Sequence, residues 1–219
     1  MTEDTSADPA AATRDPAKPW RYRSGRSWIE VGRFTYGTEH MTVRHWREGA
    51  HLTIGAFCSI ARGLKVFLGG NHRVDWATTY PFGHIFTAEL VPRGIKGHPQ
   101  TKGDVVIGND GWIAEGVSIF SGVTIGDGAV IAANATLTRS VGAYEIWGGN
   151  PARFIRHRFP TEIAARLAAL EWWACPIETI RDMAPLLSQP PDADVLSALE
   201  TIARRGKKEG PGSPGPGQG

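Results

Sequence analysis

His72 is the side chain whose type and setting point most directly to chemistry. It ends a segment in which the glycines Gly69 and Gly70 precede Asn71 and the histidine itself. An imidazole is the side chain best matched to accepting a proton near neutral pH. We therefore take His72 as the candidate general base, with a surface histidine in a glycine turn as the structural alternative.

The elements that must position His72 are set by a six-residue repeat. An aliphatic residue recurs at every sixth position, most often followed by a small residue. This period is neither helical nor a simple strand alternation, and it predicts a parallel β-helix with three short faces in each coil of about 18 residues. A sandwich of ordinary short strands is the alternative, but its turns do not recur every six residues. The predicted interior positions are Ile54, Ile60, Val66, Ile107, Ile113, Ile119, Ile125, Ile131 and Leu137.

The repeat is interrupted once, between Val66 and Ile107, by a stretch at about residues 69–102. Long loops in compact domains are usually functional or disordered, and the aromatic content of this one argues against disorder. We expect an ordered excursion that leaves the coil at His72 and covers a site. The residues that give it this character are Asn71, His72, Asp75, Trp76, Tyr80, Pro81, Phe82, His84, Phe86, His98 and Pro99.

The rest of the chain divides by composition. Residues 1–20 are expected to be a flexible N-terminal segment, residues 21–158 the β-helix, residues 159–205 C-terminal helices and residues 206–219 a disordered Gly/Pro tail. Helices are predicted from Thr161, which is a plausible N-cap, from about residue 176 to 187, and from residue 192 to 205. The fold class is thus mainly β, with a long loop excursion and C-terminal α-helices.

Composition excludes several classes of function. The formal net charge of +2 provides no excess for holding nucleic acid or an anionic membrane. The sequence shows neither an apolar run of about 20 residues nor a secretory signal pattern, so we expect no membrane insertion and a cytoplasmic location. Cys58 and Cys175 are too few for a disulfide framework and are expected to be reduced and packed.

Several ordered motifs, spread over about residues 31–187, resemble one family. They are Ile54-Gly55-Ala56-Phe57-Cys58-Ser59-Ile60, the Gly-Asn-His segment ending at His72, Tyr80-Pro81-Phe82, Lys102-Gly103-Asp104-Val105, Gly148-Gly149-Asn150-Pro151-Ala152-Arg153 and Glu171-Trp172-Trp173-Ala174-Cys175-Pro176-Ile177-Glu178. Together they are similar to the xenobiotic acetyltransferases. That group of left-handed β-helix acyltransferases includes type B chloramphenicol and streptogramin acetyltransferases.

The resemblance implies a left-handed coil, a homotrimer with active sites between subunits, acetyl-CoA as donor, a small-molecule hydroxyl as acceptor and His72 as general base. It also implies a donor site that includes Ala133, Thr138, Arg153, Arg156 and Trp112. The alternative for the arginines is a solvated basic turn. Glu115 departs from the pattern, because a carboxylate beside an anionic donor would repel it.

The excursion is expected to bind the acceptor, through Asn71, Asp75, Trp76, Tyr80 and Phe82. Its aromatic rings suit either a hydrophobic drug or a sugar. The leading prediction is an acetyl-CoA-dependent O-acetyltransferase acting on a sugar, a polysaccharide precursor or a natural product. The alternative acceptor is an antibiotic, chloramphenicol or streptogramin A.

Two further classes remain as alternatives. His40 and His45 lie five residues apart, and β-helix carbonic anhydrases hold zinc with a similar pair, so a trimeric zinc lyase is possible in principle. The pair lies off the six-residue lattice and before the regular coils, and we therefore expect no metal. A catalytically silent trimeric scaffold is the last alternative, although the presence of His72 argues against it.

Overall fold

The structure is a computed structural model that describes residues 3–6, 14–90 and 94–208. It divides the chain into two compact units, Met1–His157 and Arg158–Gly219.

Short strands make up most of the first unit. One short helix, α1 (Thr87–Leu90), lies within the excursion. The strands are β1 (Glu3–Ser6), β2 (Trp20–Ser24), β3 (Ser27–Val31), β4 (Thr42–His45), β5 (Leu52–Ile54), β6 (Ser59–Ile60), β7 (Lys65–Phe67), β8 (Val105–Ile107), β9 (Trp112–Ile113), β10 (Ser118–Phe120), β11 (Thr124–Ile125), β12 (Val130–Ile131), β13 (Thr136–Leu137), β14 (Glu145–Gly149) and β15 (Ala152–His157).

These strands form three five-stranded sheets. Sheet A has the order β1-β4-β7-β10-β13, sheet B the order β2-β3-β5-β8-β11, and sheet C the order β6-β9-β12-β14-β15. From β4 to β13, successive strands visit sheets A, B and C in turn. Pairing is parallel except at β1–β4, β2–β3 and β14–β15. The predicted mainly β fold with three parallel faces is confirmed.

The register shows why every sixth residue is aliphatic. Ile107 pairs with Ile125, and Ile119 pairs with Leu137, each eighteen residues later. All nine predicted interior positions are buried in one continuous hydrophobic core. Each coil therefore stacks its aliphatic side chains on those of the coil before it. Stacked coils contact mainly their neighbours, as in other solenoids.

Three coils depart from eighteen residues, and the largest departure is that of the coil with the excursion, where Ile54 pairs with Ile107 fifty-three residues later. Val31 pairs with Ile54, twenty-three residues later, and Ile131 pairs with Trp147, sixteen residues later. The five surplus residues of the early coil and the long excursion both fall where the chain passes from sheet A to sheet B. We call this the AB corner; it comprises residues 46–51, 68–104, 121–123 and 138–140 in successive coils.

Glycines at another corner allow the coils to stack closely. A Cβ atom on Gly55 would lie 2.6 Å from the carbonyl carbon of Gly108 in the next coil. A Cβ atom on Gly126 would lie 2.4 Å from the backbone nitrogen of Ala143. The small residue after the aliphatic one is therefore required here by the approach of the neighbouring backbone.

The first residues differ from the expectation of a flexible segment. Residues 3–6 form β1, which pairs antiparallel with β4. This pairing satisfies backbone groups at the edge of sheet A, where an unpaired strand would otherwise be exposed. The segment expected to be flexible therefore contains a paired strand at residues 3–6, while residues 1–2 and 7–13 lie outside the described residues.

The second unit is helical, as predicted. Thr161 is the first residue of its first helix and not the N-cap, a position that Pro160 occupies. Among the described residues, no helix has the length and apolar character needed to cross a membrane. The helices are α2 (Thr161–Leu170), α3 (Ile177–Leu187) and α4 (Ala193–Lys208).

Helix α4 begins as the sequence indicates and ends later. The Asp192 carboxylate accepts a hydrogen bond from the Val195 backbone N–H at 2.9 Å, as an N-cap does. The helix continues to Lys208, past residue 206, where the disordered tail was expected to start. Residues 209–219 lie outside the described residues.

Replacing Gly55 by alanine should lower the free energy of unfolding by about 1–3 kcal/mol, because the added Cβ meets the backbone of the next coil. Gly111→Ala is the matched control, since its Cβ would lie 3.6 Å from the Cys58 sulfur, an ordinary contact. Urea unfolding followed by circular dichroism measures both variants. Equal stability of the two would contradict the close-approach argument.

Candidate active site

The excursion is closed at its base by a short antiparallel pair. The backbone N–H of Asn71 donates to the Gln100 carbonyl at 3.0 Å, and the N–H of Gln100 donates to the Asn71 carbonyl at 2.8 Å. The Asn71 side-chain amide also donates to the Ser121 hydroxyl at 3.1 Å. Asn71, predicted to bind the acceptor, thus ties the excursion to the AB corner of the next coil.

His72 follows this pair directly and has an exposed side chain. Its Nδ1 lies 2.8 Å from the backbone carbonyl oxygen of Thr79. A carbonyl oxygen can only accept a hydrogen bond, so Nδ1 carries the proton and Nε2 keeps its lone pair. The structure therefore presents His72 in the tautomer that a general base requires.

The backbone before His72 is held by the surplus residues of the early coil. The Glu48 carboxylate accepts hydrogen bonds from the N–H of Gly70 at 2.7 Å and from the N–H of Trp46 at 2.8 Å. Gly70 has φ of 81°, and a Cβ there would lie 2.5 Å from the Trp46 ring. The short loop at residues 46–50 thus lies against the glycines that lead into His72.

Asp75 forms an ion pair with Arg73. Its carboxylate accepts a hydrogen bond from Arg73 Nε at 2.6 Å. This bond lowers the pKa of Asp75 to about 2, so the carboxylate is ionised at neutral pH. The Arg73 guanidinium lies over the Trp76 ring, 5.1 Å from its centroid. Asp75 and Trp76, both predicted to bind the acceptor, are therefore also part of the scaffold around His72.

Tyr80 and Phe82 offer apolar surface in the same excursion. Their ring centroids lie 4.8 Å apart, and the residues are 37% and 38% exposed. Outside the excursion, Phe67 and Phe120 stack with centroids 5.0 Å apart at the ends of the strands that enter the AB corner. Aromatic rings in such clusters can bind an apolar or ring-shaped ligand.

The five residues predicted to bind the donor fall in three places on the coil. Thr138 is exposed at the AB corner, the corner from which the excursion leaves. Ala133 is exposed at the corner between sheets C and A, and Glu115 occupies the same corner one coil earlier, where its carbonyl accepts the Asn134 N–H. The carboxylate that departs from the family pattern thus lies one coil away from Ala133.

The remaining predicted donor residues belong to sheet C. Trp112 is 55% exposed and pairs with Val130 of the next strand in sheet C. Val130 pairs in turn with Ile146, and Ile146 pairs with Arg156. Arg153 pairs with Gly148 in the same sheet. A Cβ on Gly148 would lie 3.0 Å from the Cβ of Ala132, beside Ala133. Arg153 therefore lies on the side of sheet C nearest Ala133, while Thr138 lies at a different corner.

Cys58 is excluded as a nucleophile. It is buried, and its thiol donates a hydrogen bond to the Gly108 carbonyl at 3.0 Å. Burial raises the pKa of the Cys58 thiol to about 11, so almost no thiolate is present at neutral pH. Cys58 and Cys175 are both free and buried, as predicted.

His40 and His45 have different environments. His45 is buried, and its Nε2 lies 2.8 Å from the Ser24 hydroxyl. His40 is exposed beside Glu39. Within the described part of the chain, no three His, Cys, Asp or Glu side chains are grouped so that they could hold a metal ion. The pair therefore gives no support to the zinc lyase alternative.

Known proteins were compared with the whole chain, and no protein-family model matches it. The chain is 50% identical over 143 residues to a probable macrolide acetyltransferase of Lysinibacillus sphaericus, covering 64% of this chain and 78% of the relative. It is 37% identical over 172 residues to a chloramphenicol acetyltransferase of Morganella morganii, covering 73% and 81%. It is 41% identical over 170 residues to a virginiamycin A acetyltransferase of Staphylococcus aureus, covering 73% and 76%.

The chain belongs to the xenobiotic acetyltransferase group. The resemblance drawn from the sequence motifs is thereby confirmed, and so is the prediction of an acyltransferase. The coil and the excursion are the parts of this acetyltransferase that the sequence alone identified, and His72 stays the predicted base.

Three contributors to the site were not identified from the sequence. The Thr79 carbonyl is a backbone group and leaves no side-chain signal. Glu48 could have been suspected, because the spacing from Val31 to Ile54 exceeds one coil by five residues. His98 was noticed only as part of the excursion, although its ring centroid lies 5.3 Å from that of His72.

Replacing Glu48 by alanine should speed hydrogen exchange at the Gly70 and Trp46 amides by about ten- to a hundredfold. The expectation follows because a hydrogen bond to a charged group contributes about 1.5–3 kcal/mol. Amide exchange followed by NMR measures the effect. Glu30→Ala, which removes an exposed carboxylate in sheet B, is the control, and equal protection in both variants would show that Glu48 does not hold this backbone.

Proposed function

We propose that this acetyltransferase transfers the acetyl group of acetyl-CoA to a hydroxyl group of a natural product, with His72 as general base. The observation that carries the proposal is the His72 imidazole, whose Nδ1 is engaged by the Thr79 carbonyl at 2.8 Å. Its Nε2 is left to accept a proton at the base of an aromatic excursion.

The reaction follows from that geometry. His72 Nε2 takes the proton of the acceptor hydroxyl as its oxygen forms a bond to the thioester carbonyl carbon. The carbon–sulfur bond then breaks, and the imidazolium returns the proton to the departing sulfur. The positive charge that develops on His72 is stabilised by its hydrogen bond to the Thr79 carbonyl, which remains an acceptor throughout.

The acceptor we favour is an antibiotic-like natural product with a large apolar surface. The relatives named above are a macrolide, a chloramphenicol and a virginiamycin A acetyltransferase. The exposed rings of Tyr80 and Phe82 fit such a surface, and Asn71, Asp75 and Trp76 border the same excursion. Sugars, which the sequence also predicted as acceptors, are assayed beside the antibiotics in the test below.

The donor site is proposed to be completed by a neighbouring subunit. Within one chain, Thr138 lies at one corner, Ala133 and Arg153 near another, and Trp112 and Arg156 on sheet C. A groove between the β-helices of two subunits would bring residues from different faces together. The arginines would then contact the phosphates of acetyl-CoA through their fixed set of donors. We therefore propose a homotrimer with active sites between subunits.

Three finer features are also proposals. The coil is proposed to be left-handed, as in the family to which the chain belongs. The chain is proposed to be organised as residues 21–158 for the catalytic coil and 159–205 for the helices. A cytoplasmic location is proposed because two free, buried cysteines fit a reducing compartment, where acetyl-CoA is also available.

Free thiol release from acetyl-CoA tests the function, with a macrolide, chloramphenicol, virginiamycin and a set of sugars as acceptors. His72→Ala should lower turnover by about 10²–10⁴-fold, since general-base catalysis is lost. His40→Ala, which removes an exposed histidine outside the excursion, is the control and should keep wild-type turnover. Release that survives in His72→Ala would overturn the role of His72, and release with sugars alone would replace the antibiotic acceptor.

Light scattering of the purified protein tests the assembly. The expected mass is three times the 23.7 kDa of one chain. Trp112→Ala should weaken acetyl-CoA binding measured by calorimetry, because Trp112 is one of the residues proposed to bind the donor between subunits. If the purified protein is a monomer and still binds acetyl-CoA tightly, an intersubunit donor site is contradicted.

A further inference from the structure

His98 lies opposite His72 across the base of the excursion. The pair formed by Asn71 and Gln100 brings the two strands of the excursion together, and the two histidines follow and precede it by one and two residues. Their ring centroids lie 5.3 Å apart, with an angle of 75° between the ring planes. The His72 imidazole, the proposed general base, is therefore packed edge-to-face against a second imidazole.

His98 is also bonded to the backbone that carries His72. Its Nδ1 accepts a hydrogen bond from the N–H of Arg73, the next residue in the chain, at 3.3 Å. Nδ1 is thus the unprotonated nitrogen of His98, and its proton is on Nε2. The peptide directly after the base is tied to the opposite strand by this bond.

Trp76 also packs against His98. The two ring centroids lie 5.0 Å apart at an angle of 84°. A Cβ on Gly97 would lie 2.4 Å from the Trp76 ring, so the residue before His98 leaves the space that the indole occupies. The His98 ring therefore packs against both Trp76 and His72.

The surroundings of His98 favour its uncharged form. Burial lowers the pKa of His98, and the charges of His72, Arg73 and His84 act in the same direction, against the opposite effect of Asp75. A neutral ring is the state in which His98 can accept the Arg73 N–H. It also avoids a second cation beside His72 when the base has taken its proton.

We propose that His98 is a positioning residue for His72: it anchors the Arg73 peptide through Nδ1 and packs its ring against the base. His98 is not itself the base, since its Nδ1 is bonded to the backbone and its Nε2 is enclosed, with no hydrogen-bond partner in residues 14–90 and 94–208. The inference rests on the proposed function of His72.

Two substitutions separate the two contributions of His98. His98→Phe keeps a ring and removes the acceptor for the Arg73 N–H, whereas His98→Asn keeps an oxygen near the position of Nδ1. We expect kcat to fall by about ten- to a hundredfold in His98→Phe, the size of effect that a small misplacement of a catalytic group has. We expect KM for acetyl-CoA to stay within about twofold, and His98→Asn to recover part of kcat.

His40→Phe is the matched control, because it places the same ring at an exposed histidine outside the excursion. It should leave kcat unchanged. Wild-type kcat in His98→Phe, with the His72→Ala variant inactive, would overturn the positioning role while leaving the proposed function in place. A loss in His98→Phe that appears only in KM for acetyl-CoA would overturn it as well.

Imidazole ¹⁵N NMR tests the inference without turnover. In the wild type, His72 should be protonated on Nδ1 and His98 on Nε2, and in His98→Phe the His72 signals should show both tautomers. A wild-type His98 protonated on Nδ1, or His72 signals unchanged in His98→Phe, would overturn the proposal. If no acceptor supports thiol release, the proposed function fails and the spectra still decide the role of His98.

Discussion

Hydrogen bonds between successive coils are the interaction on which the rest of the molecule depends. They hold each strand at the spacing of about 4.8 Å that a sheet imposes and align every interior aliphatic side chain with its equivalent in the next coil. A coil can therefore accommodate surplus residues only by letting them leave at a corner. In this chain both large surpluses, residues 46–50 and the excursion, leave at the AB corner.

This shared corner explains how His72, the proposed base, becomes fixed although it lies on a loop. The earlier surplus supplies Glu48, whose carboxylate bonds to Gly70, and the later coil supplies Ser121, which accepts the Asn71 amide. The excursion is thus held from both sides at its base, where His72 lies. Catalytic side chains are commonly carried by loops on a rigid scaffold, and here the scaffold is the regular coil itself.

Burial separates the side chains that can react from those that cannot. Cys58 lies inside the coil, where desolvation raises the pKa of its thiol far above neutral. His45 is enclosed with Ser24, while His72 is exposed and keeps Nε2 open. The fold therefore buries the Cys58 thiol and the His45 imidazole and leaves the His72 imidazole at the surface.

The sequence by itself determined the coil, its interior positions and the place of His72. It could do so because the interior repeat is local: each aliphatic residue is six positions from the next, and the excursion is visible as a break in that spacing. The contacts around His72 depended on the tertiary structure. Glu48 meets Gly70, and His98 meets His72, only because coil register and the Asn71–Gln100 pair bring together residues that lie more than twenty positions apart. Likewise, β1 covers the edge of β4 through a pairing that no residue pattern of the chain records.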